Sequence, residues 1–416
     1  MPSIFGQGYD TGISVVKPSG QIADQRGLFT NGNVRMHYTA CSQALSTPRE
    51  RLFFVGMDVH KDTHAAVGTT ALGEKLFEIS LENNRADFDR LIKQSQLVAS
   101  ERGLGLVFGL EDSTAYGLRL AKHLFANKLL VKTVSPLYVD RERKYETHPE
   151  KNDSLDAYAA AKVLIQRIDT LPTYTITKQN ELAKEIKELT LDREFLVKEQ
   201  SRLKCHVHRL LHRAWNSDYQ KKFKNHFSLK GLKFWLAHPL PTGEAKDDIV
   251  GTPNILKNQI KRKIKRLLAI REELKEIEIE LQSLIEQTGQ KITTLNGCGI
   301  ALGAKVLAEV KDITNFTSPS ALAKYAGLCP RERSSGKTFR HVKTKSGNRQ
   351  LNTAIHRIAL SQISRSGNHF AKDYFQRKIS QGKTKAQALC CLKRRLVDII
   401  YMMLKHKQAY HQPDNQ

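Results

Sequence analysis

The period of the hydrophobic pattern changes once along the chain, near Pro172, and this change constrains the fold more than any other feature. Between Arg51 and Pro172, short apolar runs of strand length alternate with amphipathic helical stretches. Beyond Pro172 the apolar residues recur at helical spacing instead. The sequence therefore predicts an α/β domain over residues 51–172, followed by helical regions.

The order of elements in that first region is strand, strand, strand, helix, strand, helix, strand, helix. The segments, in order, are RLFFVGMDVH, DTHAAVGTT, KLFEISLE, Arg85 to Glu101, LGLVFGLEDS, GLRLAKHLFANK, LLVKTV and SLDAYAAAKVLIQR. The fourth strand is apolar on both faces, which indicates a sheet covered by helices on both sides. This order is that of the ribonuclease-H-like layout, in which the first and fourth strands are neighbours.

Two long helices are predicted between residues 173 and 289, because apolar residues alternate there in four- and three-residue steps. The first stripe is Leu182, Ile186, Leu189, Leu196, Leu203, Val207 and Leu210, with Arg193 and Gln200 at the two skipped positions; the second is Ile260, Ile264, Leu267, Leu274, Ile277, Leu281 and Leu284. The pattern favours a coiled-coil hairpin or a dimerisation arm, with an ordinary helical bundle inside one subunit as the alternative.

The chain is strongly basic, and its positive charge is concentrated at one end. Its 416 residues include 67 Lys and Arg against 42 Asp and Glu, a formal net charge of +25. Residues 289–416 alone hold 23 basic and six acidic side chains. Such a field favours a polyanionic partner, with nucleic acid the first candidate.

Three further features concern the ends of the chain and its environment. Residues 1–50 are rich in Gly, Ser and Gln without sustained periodicity, so we expect a poorly ordered extension. The six cysteines contain no CxxC pair and no disulfide framework, which fits a reducing cytoplasm. No apolar run reaches the roughly 18 residues needed to span a bilayer. A soluble, cytoplasmic protein is the expectation.

Four carboxylates occupy the ends of predicted elements. Asp58 ends the first strand, Glu111 ends the fourth, and Asp153 with Asp156 opens the last helix of the α/β region. Since the first and fourth strands are expected side by side, these acids should converge at one edge of the sheet, and Asp153 should also cap its helix. Carboxylates that converge repel one another unless cations neutralise them, and oxygen ligands suit Mg²⁺ or Mn²⁺. Two such ions could support phosphoryl displacement.

Residues 290–416 form a third, mostly helical region that begins with the turn NGCG. Gly297 and Gly299 resemble a helix-hairpin-helix turn, which presents backbone N–H groups to a phosphate. A basic run follows, with Phe339 available to pack on a sugar or base. The predicted nucleic-acid-binding side chains are Arg331, Arg333, Lys337, Arg340, Lys343, Lys345 and Arg349. A solvated basic loop is the alternative interpretation of this run.

The motifs together resemble the DEDD transposases of bacterial insertion sequences in the one-ten and eleven-eleven group, a family of bridge-RNA-guided serine recombinases. MDVHKDTH, LEDSTAYG and KNDSLDAYAAA are similar to its first three motifs. LNGCGIALGAKVLAEV, FTSPSALAKYAGLCPRERSSGK and KSGNRQLN are similar to its C-terminal transposase domain. The resemblance covers about residues 52–370. Asn296, where the family has Pro-Gly at the start of the turn, departs from the pattern, as does the 50-residue leader.

That resemblance implies a RuvC-like domain in which Asp58, Glu111, Asp153 and Asp156 bind Mg²⁺. It also implies a serine nucleophile that maps best onto Ser335, with Ser334 and Ser346 as the alternatives. The family's composite active site joins the acids of one subunit to the serine of another, so a homo-oligomer is expected, a dimer or a tetramer of two dimers. Its partners would be donor and target DNA and a structured RNA encoded by the element.

Two other functions remain open from the sequence. A plain metal-dependent nuclease would use water in place of Ser335, and a non-enzymatic scaffold would bind RNA while its acids are incidental. His60 and His64 could assist metal or phosphate binding near Asp58, and Lys61 could contact a phosphate. A further metal cluster at Cys205, His208 and His212 is possible, but these residues are more typical of a helix surface.

Overall fold

The computed structural model of the chain describes residues 47–113, 115–145, 152–242, 249–335, 338–342 and 346–411. The chain divides into two compact units, with the boundary between Tyr174 and Thr175. This boundary lies within three residues of the predicted change of period at Pro172. Apart from residues 47–50, the predicted N-terminal extension lies outside the described residues.

A five-stranded mixed sheet forms the centre of the first unit. Its strands are β1 (Leu52–Val59), β2 (Thr63–Thr69), β3 (Lys75–Glu82), β4 (Gly105–Leu110) and β5 (Leu130–Thr133). The order across the sheet is β3-β2-β1-β4-β5, with β1 to β3 antiparallel and β4 and β5 parallel to β1. The predicted meander and the predicted pairing of the first and fourth strands are both confirmed.

Helices cover both faces of this sheet. They are α1 (Arg85–Glu101), α2 (Leu118–Ala126), α3 (Pro136–Arg143) and α4 (Asp153–Arg167). All eight residues of β1 are buried. Phe53 and Val55 pack with α1 and α2, whereas the alternate residues Leu52 and Phe54 pack with α4. Alternate residues of β1 thus contact helices on opposite faces of the sheet, as expected for a strand that is buried on both sides.

Helix α3 was not predicted, since residues 136–143 lie between two predicted elements, the strand LLVKTV and the helix SLDAYAAAKVLIQR. Only Val139 of this helix is buried, so it carries almost no hydrophobic periodicity. Ser135 and Pro136 are typical of a helix start, because proline suits the first helical position. These two residues were the sequence signal from which α3 could have been predicted.

The second unit begins with a long helical hairpin. Helix α5 (Lys178–Trp215) packs against α8 (Pro253–Thr288), and two short helices, α6 (Tyr219–Lys222) and α7 (Leu229–Ala237), lie between them in the chain. Ion pairs join Arg193 to Glu278 and Glu199 to Arg266, so the helices are antiparallel. The predicted apolar stripes of the two helices therefore pack against each other within one chain. Of the predicted arrangements, this is the hairpin.

The C-terminal part of this unit is mostly helical, as predicted. Its helices are α9 (Ile300–Val310), α10 (Pro319–Tyr325), α11 (Arg349–Gln362), α12 (His369–Ser380) and α13 (Lys385–His406). They share one hydrophobic core with the start of α5 and the end of α8, through residues such as Ile186 and Ile277. None of the described helices is both long and apolar enough to cross a membrane.

A β-hairpin, which was not predicted, forms within the basic run. Strands β6 (Arg331–Ser335) and β7 (Thr338–Val342) pair antiparallel in a sheet of their own. The described residues of β6 are all exposed. No strand was predicted here because β6 is polar on both faces, and a polar strand lacks the apolar alternation on which such predictions depend.

Candidate catalytic site and nucleic-acid surface

Asp58 and Glu111 lie beside each other at the carboxyl ends of neighbouring parallel strands. The register pairs Met57 with Leu110, and the residue that follows each of them in the chain is an acid. The Glu111 amide donates to the Met57 carbonyl at 3.3 Å, which extends the pairing by one residue. The Asp58 side chain is only 8% exposed. Strand pairing alone thus places these two carboxyl groups together.

Close packing of α4 on β1 supplies the other two acids. A Cβ added at Gly56 would come within 2.3 Å of the Ala157 carbonyl oxygen and of the Ala161 amide nitrogen, so only glycine permits this approach. Asp153 and Asp156 lie in the first turn of α4, where the helix dipole tolerates negative charge. The predicted cap was wrong: Asn152, one residue earlier, accepts the Leu155 amide at 2.7 Å and caps the helix.

His60 bridges two of these acids. Its Nε2 lies 3.1 Å from Asp58 Oδ2 and 3.3 Å from Asp153 Oδ1. Asp58, His60 and Asp153 each offer one ligand atom, and these atoms lie within 4.8 Å of one another. Two carboxylates and an imidazole at this separation could hold a divalent metal ion.

The electrostatics of the site are those of crowded anions. Burial, followed by the charges of Asp58 and Asp156, raises the pKa of Glu111 to about 7. Burial also raises the pKa of Asp58, and His60 partly opposes this shift. A carboxyl group whose pKa rises because of burial and like charge is one that a bound cation would return to its ionised form.

Arg143 is a functional candidate that the sequence analysis missed. Its guanidinium donates to both carboxylate oxygens of Asp156, at 2.8 and 3.1 Å, and to Asp140 Oδ1 at 3.0 Å. The side chains of Arg143 and Asp156 are 17% and 12% exposed. Asp156 is thus held by a two-point ion pair. The sequence analysis missed Arg143 because helix α3, which carries it, was not predicted.

Other predicted neighbours of Asp58 lie elsewhere in the unit. His64 is buried with its ring stacked on Phe88 at 6.0 Å, and burial lowers its pKa, so it belongs to the core. Lys61 is exposed, and its carbonyl accepts the Asn83 side chain. Asp112, next to Glu111, accepts the amides of Ala115 and Tyr116 and stabilises the following turn.

Ser335 lies in the second unit, on the β6–β7 hairpin. Arg333 is directly opposite Arg340, and Ser335 is opposite Thr338. Because side chains alternate between faces, Arg331, Arg333, Ser335 and Arg340 share one face of the hairpin. Ser334 points to the other face and donates to Glu332 at 2.8 Å. Of the two adjacent serines, Ser335 is therefore the one among the arginines.

The remaining members of the predicted basic surface divide into two groups. Arg349 is exposed in the first turn of α11, and Phe339 is 65% exposed on β7. Lys337, Lys343 and Lys345 lie outside the described residues. Ser346 is exposed just before α11.

The NGCG turn contains one glycine that the backbone requires. Gly297 has a φ of +78°, and a Cβ there would meet the Ser361 side chain at 2.9 Å. Gly299 precedes α9, has an ordinary φ of −70°, and would meet nothing within 4 Å. Helix α9 begins at Ile300 as predicted. Only Gly297 is thus conformationally necessary.

The alternative metal cluster at Cys205 is not formed. His208 instead contacts the Tyr219 hydroxyl at 3.2 Å, and across the described residues the group that could hold a metal ion is Asp58, His60 and Asp153. The described cysteines are free thiols, with Cys205 and Cys390 exposed and Cys298 buried.

Comparison with known proteins identifies relatives over most of the chain. A 44.8 kDa protein of insertion element IS116 from Streptomyces clavuligerus is 27% identical over 88% of this chain and 98% of its own length. A pilin gene-inverting protein of Moraxella bovis is 30% identical over 29% of this chain and 37% of its own. RuvC of T. thermophilus, solved in complex with a Holliday junction substrate, aligns with 30% of this chain and 99% of its own, at 12% identity and a TM-score of 0.23.

Two family models match, and both describe transposases. The DEDD-type IS110 model, described as "Transposase", matches residues 55–216, which include all four acids. The model described as "Transposase IS116/IS110/IS902 family" matches residues 289–375, which include the β6–β7 hairpin. The two models together cover more than half of the sequence, and they follow one another in the order of the predicted motifs. The chain belongs to the IS116/IS110/IS902 family of transposases.

Proposed function

We propose that the protein is a recombinase that cuts and rejoins DNA through a covalent phosphoserine. The observation that carries this proposal is the convergence of Asp58, Glu111, Asp153 and Asp156 at one sheet edge, in a chain that also presents a serine among arginines. The first unit would act as a RuvC-like nuclease domain. Membership of a transposase family and the similarity to a gene-inverting protein support this reaction class.

The four acids, assisted by His60, would hold Mg²⁺ or Mn²⁺. A bound divalent cation supplies positive charge to the non-bridging oxygens of a phosphodiester. Asp58 and Glu111 are fixed by strand register and Asp156 by Arg143, so the carboxylates are preorganised rather than carried on mobile loops. His60 Nε2 is within hydrogen-bonding distance of both Asp58 and Asp153 and orients them.

Ser335 would be the nucleophile. Its Oγ attacks the phosphorus and loses its proton, the bond to one bridging oxygen breaks, and that oxygen leaves as a hydroxyl after taking up a proton. In the second step a hydroxyl of another DNA strand attacks the phosphoserine, so Ser335 is released and the strands are joined. Arg331, Arg333 and Arg340 on the same hairpin face would stabilise the charge that develops on the phosphate.

The partners of this reaction are donor and target DNA, together with a structured RNA encoded by the element. Since the acids and Ser335 belong to different compact units, a site composed from two subunits of a dimer or tetramer is compatible with the chain. The predicted domains, residues 51–172, 173–289 and 290–416, would then act as nuclease domain, helical arm and serine-bearing domain.

The test is adduct formation on a suicide DNA substrate nicked near the cleavage point. Wild type should form a protein–DNA species that survives boiling in detergent, Ser335→Ala should form none, and the matched control Ser334→Ala should form it normally. Loss of the adduct in Ser334→Ala or Ser346→Ala, but not in Ser335→Ala, would move the nucleophile. Cleavage by wild type without an adduct would favour a metal-dependent nuclease that uses water.

A further inference from the structure

The helical hairpin of the second unit has two ends of opposite charge. The base half, residues 178–199 and 272–288, contains 12 Asp and Glu against six Lys and Arg. The tip half, residues 200–271, contains 17 Lys and Arg against four Asp and Glu, and three of those acids fall in 243–248, outside the described residues. The hairpin is therefore strongly basic at its tip, in addition to the basic C-terminal region.

Most tip cations have no acidic partner among the described residues. In 200–242 and 249–271, Lys221 pairs with Asp218, and Arg266 pairs with Glu199 and Glu273 at the border with the base. The other cations there form no ion pair with a described acid. Accumulated like charge destabilises the compact state through self-repulsion, and a bound polyanion would neutralise it, so this surface favours a polyanionic partner.

The tip has its own rigid core. Trp235 of α7 is fully buried, and it packs with Leu210, Leu232 and Ile260. Phe223 and Phe234 add aromatic contacts to Trp235 at 5.8 and 5.0 Å. The basic surface is thus supported by a packed subdomain, which can hold a recessed site.

A cavity of about 240 Å³ opens on the hairpin where the basic tip half meets the base half. Its walls include two half-buried cations, Lys204 and Arg271, the ring of Phe227 and the side chain of Asn225, over a floor of buried leucines. Lys204 Nζ lies 5.8 Å from the centre of the Phe227 ring. The volume is below the roughly 300–1,000 Å³ of pockets for drug-sized ligands, and suits one ring system.

We propose that this cavity, which we call the tip pocket, binds one unpaired nucleotide of a single-stranded nucleic acid. Phe227 would contact the base, Lys204 and Arg271 the phosphates, and the surrounding lysines the strand on either side. A base stacked inside a duplex cannot enter such a recess, whereas a base in a loop, a bulge or a single strand can. This inference extends the proposed function but does not depend on the acids or on Ser335.

Binding of the full chain to fluorescent single-stranded RNA, single-stranded DNA and duplex DNA of one sequence tests the proposal. Lys204→Gln/Arg271→Gln should weaken single-strand binding about 10-fold or more and lower its log–log salt slope by about 1.4, which is two phosphate contacts at roughly 0.7 each. The control Lys178→Gln/Lys275→Gln removes two cations from the base half and should change affinity less than twofold. Comparison of the two single strands identifies whether RNA or DNA is preferred.

A second variant separates stacking from charge. Phe227→Leu keeps apolar volume but removes the aromatic face, so single-strand affinity should fall about fivefold or more. Phe234→Leu, in the same core but outside the cavity wall, is the control for folding. A 4-thiouridine strand should photo-crosslink to the peptide that contains Phe227. Unchanged single-strand affinity in both tip variants, or an equal loss on duplex, would overturn the proposal, and neither result would bear on adduct formation by Ser335.

Discussion

The acidic site of the first unit and the β6–β7 hairpin of the second are both charged surfaces, but they are built in opposite ways. Asp58 is buried at a strand end, and its neighbours are fixed by strand register and by helix packing against Gly56. Arg333 and Arg340 face solvent on an isolated two-stranded sheet. Buried charges interact strongly and depend on geometry, whereas exposed charges are screened by water and salt. Changes of shape should therefore harm the first region and spare the second.

The largest effect is expected at Asp58. Asp58→Asn removes a charge, and Asp58→Glu shifts the carboxylate by one methylene in a buried site, so each should lower the strand-cleavage rate about 10³-fold. Nucleic-acid binding should stay near normal, as measured by fluorescence anisotropy. On the hairpin, Arg333→Lys is the matched change of shape at constant charge, and it should leave binding within about twofold. Full cleavage by Asp58→Glu in Mg²⁺ would remove the contrast between the regions.

Salt should change the affinity of the basic region for DNA by a similar factor. If six or more phosphates are neutralised, affinity for DNA should fall roughly 10³-fold or more between about 50 and 200 mM salt. Arg333→Gln should reduce the log–log slope by about 0.9, the value for one contact with duplex DNA, while Arg333→Lys keeps it. If the affinity of wild type for DNA did not change with salt concentration, the excess of basic residues would not be what binds the DNA.

Gly56→Ala should have an intermediate effect, on the acidic region alone. The added Cβ would overlap the backbone of α4, so the helix must move, at a cost of about 1–3 kcal/mol in the free energy of unfolding. Cleavage should fall as well, because Asp153 and Asp156 move with the helix. Gly299→Ala, where a Cβ meets nothing, is the control and should leave the melting temperature nearly unchanged. A wild-type melting curve for Gly56→Ala would contradict the packing argument.

The smallest effect is expected from pH. Burial and like charge raise the pKa of Glu111 from an ordinary 4.5 to about 7. The folded state therefore binds a proton more tightly than the unfolded state, so this contribution to stability is present below about pH 4.5 and is lost as pH rises to about 7. Denaturant unfolding in a chelator should show this decline, and Glu111→Gln should flatten it. If Glu111→Gln lost the same amount of stability as pH rises, the loss would be due to other titrating groups.

Much of the fold and of the acidic site could be predicted because the signals are local. Strand-length apolar runs predicted the five strands, and with one acid near the end of β1 and another directly after β4, only the pairing of these strands was needed to bring Asp58 beside Glu111. The alternation of four- and three-residue steps gave the two long helices, although it left open whether the partner stripe lay in the same chain. That choice depends on the turn between them, and the structure selects the hairpin.

Features that were missed have weak local signals. Helix α3 buries only Val139, and β6 is polar and exposed on both faces, so neither shows the periodicity of a buried element. The consequences are functional, because α3 carries Arg143 and the β-hairpin separates Ser335 from Ser334. Side-chain direction on a strand follows from its register, which the sequence of a polar segment does not specify.

The sequence by itself determined which residues carry charge, the order of the elements that hold them, and the family to which the chain belongs. Only the tertiary structure decided that Arg143 pairs with Asp156, that His60 joins Asp58 to Asp153, and that His64 packs in the core. It also brought Lys204 of α5 and Arg271 of α8 to the wall of one cavity, although the two residues are far apart in sequence. The physical reason is that periodicity and turn chemistry act between near neighbours, whereas burial, ion pairing and pKa depend on residues that only packing brings together.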